Sequence, residues 1–154
     1  MGVRADSVMG TGVEFRKGVR AIDRQEVGRA IDAARSGGLP VFVLEMDERV
    51  GREAFFDAVK AVLPHDPPLT SSRSWDALSD SVWEGVRNLE ARRIVIIWPD
   101  ATRFRDDASA DYLVSMEVLA DLVDSLGDSV ATTGMPKEVC IIVGMAFSDD
   151  FGPP

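Results

Sequence analysis

The sequence predicts an α/β fold of two layers: a small parallel sheet of three central strands with helices packed against it, plus a short N-terminal strand and helix. Three observations lead there. Val41 to Glu45, Ile94 to Trp98 and Val139 to Val143 are short, continuous apolar runs rich in β-branched residues, the pattern of strands in a covered parallel sheet. Amphipathic helical segments separate them, in the order strand, helix, helix, strand, helix, strand, which calls for right-handed crossovers. The chain has 154 residues, 45% of them hydrophobic, enough for one well-filled core and too few for two domains. The expected division is a tail over 1–12, a single domain over 13–148 (extension 13–38, core 39–148) and a second tail over 149–154.

From the N-terminus, Val13 to Arg16 reads as a short strand. Asp23 followed three positions later by Glu26 has the form of a capping box, with Asp in place of the usual Ser or Thr. The helix after it carries Val27, Ala30, Ile31 and Ala34 on one stripe and stops at Gly37 and Gly38. The first long apolar run follows. Arg52 to Leu63 then places Phe55, Phe56, Val59, Val62 and Leu63 on one helical side, before a loop holding Pro64, Pro67 and Pro68.

The next helix opens at Ser74, a good N-cap. Leu78, Val82, Val86 and Leu89 recur at three- and four-residue intervals and form its core stripe, while Asp76 and Asp80 share another face. Asp76 falls in the first turn, where the helix dipole favours an acid and supplies a structural reason for it. Asp80 lies a turn further in, where that reason fades.

The last long helix, about Ala108 to Leu126, sits in a stretch with no Lys, Arg or His between Arg105 and Lys137 and with seven acids: Asp106, Asp107, Asp111, Glu117, Asp121, Asp124 and Asp128. Tyr112, Met116, Leu119, Val123 and Leu126 form its core stripe. Glu117, Asp121, Asp124 and Asp128 follow one another at steps of four, three and four, so like charges repel by a few tenths of a kcal/mol per pair. Two readings fit: a solvated face, or a face that a basic partner relieves.

Charge narrows the partner class. A net charge of −9 argues against nucleic acid or anionic membrane, because phosphate binding needs clustered Lys and Arg, and it suits a basic protein. Cys140 is the single cysteine and lies inside an apolar run, which excludes a disulfide framework and a thiolate metal cluster. No apolar run approaches the roughly 20 residues that cross a bilayer. Met1, Gly2, Val3 and Arg4 begin no signal-peptide apolar region, and Asp6 stands where N-myristoylation wants Ser or Thr, so a cytoplasmic location is expected.

No reacting constellation emerges, and the expectation is a protein that is not an enzyme and uses neither cofactor nor metal. His65, the sole histidine, lies near Ser71 and Asp76, but a triad is defined by geometry, and a short polar loop collects these residue types by chance. The acids follow no calcium-loop spacing, and Gly10, Thr11 and Gly12 are not a phosphate-binding loop. Trp75, Trp83 and Trp98 each read as core or contact, with Trp98, ending a strand, on the core side.

At Trp75, Asp76, Ala77, Leu78 and Asp80 the chain resembles the barstar-type ribonuclease inhibitors, whose loop and helix run approximately Gly, any residue, Asn, aromatic or Leu, Asp, Ala, Leu, any residue, Asp. The order of elements from Val41 to Val143 is similar to that family's, and the strand and helix before Val41 resemble the N-terminal extension of some actinobacterial members. In the family, this helix and its leading loop plug the active site of a small basic ribonuclease, with carboxylates in place of RNA phosphates. The resemblance implies that Asp76 and Asp80 are the motif carboxylates and that Asp124 stands where the family uses a Glu on the last helix. The partner-binding set expected is Thr70, Ser74, Trp75, Asp76, Ala77, Asp80, Glu84, Asp121 and Asp124. Thr70, Ser71, Ser72 and Ser74 stand where the family commonly has two aromatics, Gly and Asn, which changes the loop's shape and contact area. The expected function is an immunity or antitoxin-type inhibitor of a basic ribonuclease or related toxin. The alternative is a non-inhibitory interaction or regulatory module that keeps the fold.

Overall fold

The computed structural model describes residues 8–9, 13–68 and 74–147, with backbone only at 8, 9, 13 and 14. The elements run β1 (Val8–Met9), β2 (Val13–Glu14), β3 (Gly18–Asp23), a 3-10 turn (Arg24–Glu26), α1 (Val27–Ser36), β4 (Val41–Val43), α2 (Arg52–Val62), α3 (Trp75–Arg87), β5 (Arg93–Trp98), α4 (Thr102–Asp107), α5 (Ser109–Leu126) and β6 (Glu138–Met145).

The main sheet has four strands, all parallel, in the order β3-β6-β5-β4. The three expected strands are adjacent, with β5 and β6 in register from Arg93 opposite Glu138 to Trp98 opposite Val143. Their apolar runs are continuous because both faces are covered. Ile94, Ile96, Trp98, Val139, Ile141 and Val143 join one buried cluster with α2, α3, α4 and α5. Val95, Ile97, Cys140 and Ile142 alternate to the other face and join Phe15 and the small side chains Ala30, Ala33 and Ala34 of α1. The core from residue 39 onward is thus the expected pair of layers, and the extension adds a third layer and a fourth strand.

That fourth strand differs from the expectation. Val13–Glu14 does not enter the main sheet; it pairs antiparallel with Val8–Met9. Gly18–Asp23 is the strand that lies beside β6. As an edge strand it is only partly buried and carries Arg20 in its middle, so no continuous apolar run marks it. The rest of the expected 1–12 tail and all of 149–154 lie outside the described residues.

Some helix ends follow local chemistry and others depend on distant residues. The Asp23 carboxylate accepts the Gln25 N–H at 2.9 Å and opens the 3-10 turn ahead of α1, while Glu26 bonds Arg29 and does not complete a capping box. Gly38 takes the left-handed φ of 80° just beyond α1. α2 has no local cap: the Asp111 carboxylate, 59 positions away on α5, accepts the Arg52 N–H at 3.0 Å. The unanticipated α4 is seated by Gly144, where a Cβ would meet the Pro99 carbonyl, and by the bond from Ala101 N–H to Gly144 O at 2.8 Å.

Candidate protein-binding face

Ser74 starts α3 from an extended conformation, and its hydroxyl oxygen accepts the N–H groups of Asp76 at 3.1 Å and Ala77 at 3.3 Å. The core side holds the expected Leu78, Val82 and Val86 and also two small residues, Ser81 and Gly85. Those two seat the preceding loop. Asp66 N–H donates to Ser81 O at 2.9 Å, Ser81 Oγ donates to Pro67 O at 2.5 Å, and a Cβ on Gly85 would stand 2.4 Å from the Pro64 carbonyl carbon. The loop therefore runs back along α3 before the chain enters the helix. Residues 69–73, Thr70 among them, lie outside the described residues.

Opposite the core stripe, Asp76, Asp80, Trp83 and Arg87 recur at intervals of four, three and four and form one ridge. Asp76 and Asp80 are exposed, and neither carboxylate has a hydrogen bond or ion pair among the described residues. Further along, the Arg87 guanidinium lies 5.6 Å from the centroid of the Trp83 ring and bonds Glu84 at 3.2 Å. The Trp83 indole N–H is buried with no acceptor among the described residues. Glu84 is thus already neutralised by its neighbour on the same helix. Trp75, by contrast, is turned inward: it is half-buried, its ring centroid 5.2 Å from that of Phe56 and 5.8 Å from that of Phe55. It pins the first turn of α3 to α2, and Ala77 packs against the same cluster. Trp83 and Arg87 were not in the expected set, although Trp83 follows Asp80 by three positions, a spacing already legible in the sequence.

α3 packs against α5. On α5 the buried side holds Ser115, Leu119, Leu122, Val123 and Leu126, while Leu113, Glu117, Asp121 and Asp124 project to solvent, Leu113 with 63% of its surface exposed. The structure divides the seven acids of this region by what they bind. Asp106 pairs with Arg105 and Asp107 with Arg103; Asp111 caps α2; Asp128 accepts the N–H groups of Val130 at 2.8 Å and Ala131 at 3.2 Å. Glu117, Asp121 and Asp124 have no side-chain partner among the described residues. Asp128 consequently leaves the acidic stripe, because it lies beyond the end of α5 and is bound to the following turn.

The arrangement can pair with cations, and no Ser, His and Asp set is assembled among the described residues. His65 Nδ1 lies 2.9 Å from the Leu63 carbonyl, and Ser71 is outside the described residues. Among the described residues no three His, Cys, Asp or Glu side chains gather as metal ligands, and no helix is long and apolar enough to cross a membrane.

The family model of barstar, the barnase inhibitor, matches residues 39–138. The chain belongs to the barstar family. The matched span takes in β4 through α5 and reaches the first residue of β6, so α3 and α5 with their free carboxylates lie inside it. The extension carrying β3 and α1 lies outside it. Barstar family members are inhibitors and not enzymes. No curated protein and no solved structure matches the chain.

Proposed function

We propose that this barstar family member inhibits a basic ribonuclease, or a related toxin, by presenting the acidic ridges of α3 and α5 to its cationic active site. The observation that carries the reading is that Asp76, Asp80, Glu117, Asp121 and Asp124 project from two packed helices with no cation or donor among the described residues, while the other acids of α5 and its flanks are engaged. An unrelieved like-charge ridge is a small cost that a basic partner offsets on binding. Asp76 and Asp80 take the place of RNA phosphates, Asp121 and Asp124 add charge from the second helix, and Ser74, Trp75 and Ala77 hold the start of α3 in place. The setting is cytoplasmic, where such an inhibitor protects its own cell.

The composition of residues 70–74, Ser and Thr where the family commonly has aromatics, favours a second reading, a module that keeps the fold for another partner. Stopped-flow association with the basic ribonuclease encoded beside it or, failing one, with small basic microbial ribonucleases separates the two. Complementary charge accelerates encounter and salt screens it over about 8 Å at physiological ionic strength. The expected result is stoichiometric inhibition with an association rate that falls as salt rises. A complex whose association rate ignores salt, or no inhibition of any basic ribonuclease, overturns the first reading.

A further inference from the structure

The carboxyl end of α5 has the opposite character from the ridges. In a chain with a net charge of −9, four cations, Lys17, Arg92, Arg93 and Lys137, line one hollow of about 440 Å³ beside Gly127. Their elements converge there because β5 and β6 begin, and α3 and α5 end, at the same end of the fold.

Few of these charges are neutralised. Glu138, the one carboxylate among the described residues that line the hollow, bonds Arg93 Nε at 2.6 Å, and Asp128, next to Gly127, is committed to Val130 and Ala131. Lys137 is 5% exposed and donates from Nζ to the carbonyls of Leu89 at 2.6 Å and Ala91 at 2.7 Å, which fixes its ammonium in the wall. Lys17 and Arg92 have no hydrogen bond or ion pair among the described residues. The Lys17 ammonium stands so near Gly127 that a Cβ there would lie 3.3 Å from it.

Helix capping accounts for only part of this. α5 has no basic residue in its last turn, and its terminal carbonyls attract a cation. One cation meets that need, and Leu126 O already accepts the Lys137 N–H at 2.7 Å. The remaining positive groups repel one another, and they gain most from an anion that bridges them.

We propose that this hollow binds a small phosphate-bearing molecule, with Lys17 and Arg92 as the mobile clamps and Lys137 as the fixed positive wall. Phosphate fits better than a carboxylate because several cations call for more than one negative charge, and an Arg fork matches two phosphate oxygens. Burial, and then the neighbouring Arg92, lower the Lys137 pKa, the direction expected where positive charge is crowded without a counter-ion. The hollow lies beyond the carboxyl end of α3, a 13-residue helix that spans roughly 20 Å, so it does not depend on the ribonuclease-binding reading at Asp76.

The test is titration of ¹⁵N-labelled full chain with inorganic phosphate and, separately, with ADP, against sodium chloride at matched ionic strength. Saturable amide shifts at Lys17, Arg92, Gly127 and Lys137 are expected, and whichever probe binds more tightly identifies the source as free phosphate or a nucleotide. Lys17→Gln with Arg92→Gln should weaken binding by at least about tenfold with little change in Tm, since neither side chain has a hydrogen bond or ion pair among the described residues. If the double variant melts early, Arg92→Gln alone is read in its place. Asp80→Ala should leave phosphate binding as it was. The absence of saturable shifts, or equal binding by the Gln variants (an adventitious ion only), overturns the proposal.

Discussion

Replacing Asp80 by Ala removes a carboxylate that stands on the second turn of α3, points away from the core and touches no donor among the described residues. The fold should barely notice. A surface substitution of this kind stays within about 0.5 kcal/mol, a Tm change of no more than about 2 °C in a domain near this size. Binding separates two cases. If Asp80 stays solvated in the complex, its loss forfeits at most about 1 kcal/mol, roughly fivefold. If it fills a cationic active site, truncation strands a desolvated Arg or Lys on the partner and costs about 2 to 5 kcal/mol, a range this family's own complex helped to establish. That corresponds to roughly 30-fold to several thousand-fold, and the two ranges do not overlap. Inhibition constants from residual ribonuclease activity, with a thermal melt of each variant, decide the matter, and Asp106→Ala, whose carboxylate is paired with Arg105, is the control. A change below about fivefold with an unaltered melt refutes the phosphate-mimic mechanism. Lost inhibition with a collapsed Tm makes Asp80 structural.

Gly85→Ala should destabilise the fold although Ala is the better helix former. The new Cβ would come within 2.4 Å of the Pro64 carbonyl group and 2.5 Å of His65 N, backbone atoms that cannot rotate aside, so an overpacking cost of about 1 to 3 kcal/mol or more exceeds a helix gain near 1 kcal/mol. A lowered Tm by calorimetry is expected, and an unchanged or raised Tm would refute the tight seat of the loop on α3. Burial raises the Asp100 pKa, but the Thr102 hydroxyl and N–H and the Arg24 guanidinium outweigh it and hold the carboxyl below its ordinary value of 3.8. Because the folded value is the lower one, this stabilisation is complete above about pH 4 and disappears as pH falls through the folded value. Asp100→Asn should therefore lower stability at neutral pH and flatten the loss on acidification below pH 4. Equal acid limbs in chemical denaturation of the two proteins would contradict this.

Periodicity by itself determined three central strands, the two inward faces of α3 and α5, and the Ser74 cap, because each depends on residues within a few positions of one another. Those spacings also placed Asp76, Asp80, Asp121 and Asp124 away from the core. The strand Gly18–Asp23 escaped notice because an edge strand needs burial on fewer sides, and Arg20 breaks its apolar pattern. Only the tertiary structure decided which acids are free. Asp111 and Asp124 look alike in the sequence, yet Asp111 caps a helix 59 positions away while Asp124 has no side-chain partner among the described residues. The gathering of Lys17, Arg92, Arg93 and Lys137 was hidden for the same reason: each is locally an ordinary charge, and parallel strands with helical crossovers bring distant strand beginnings and helix ends together.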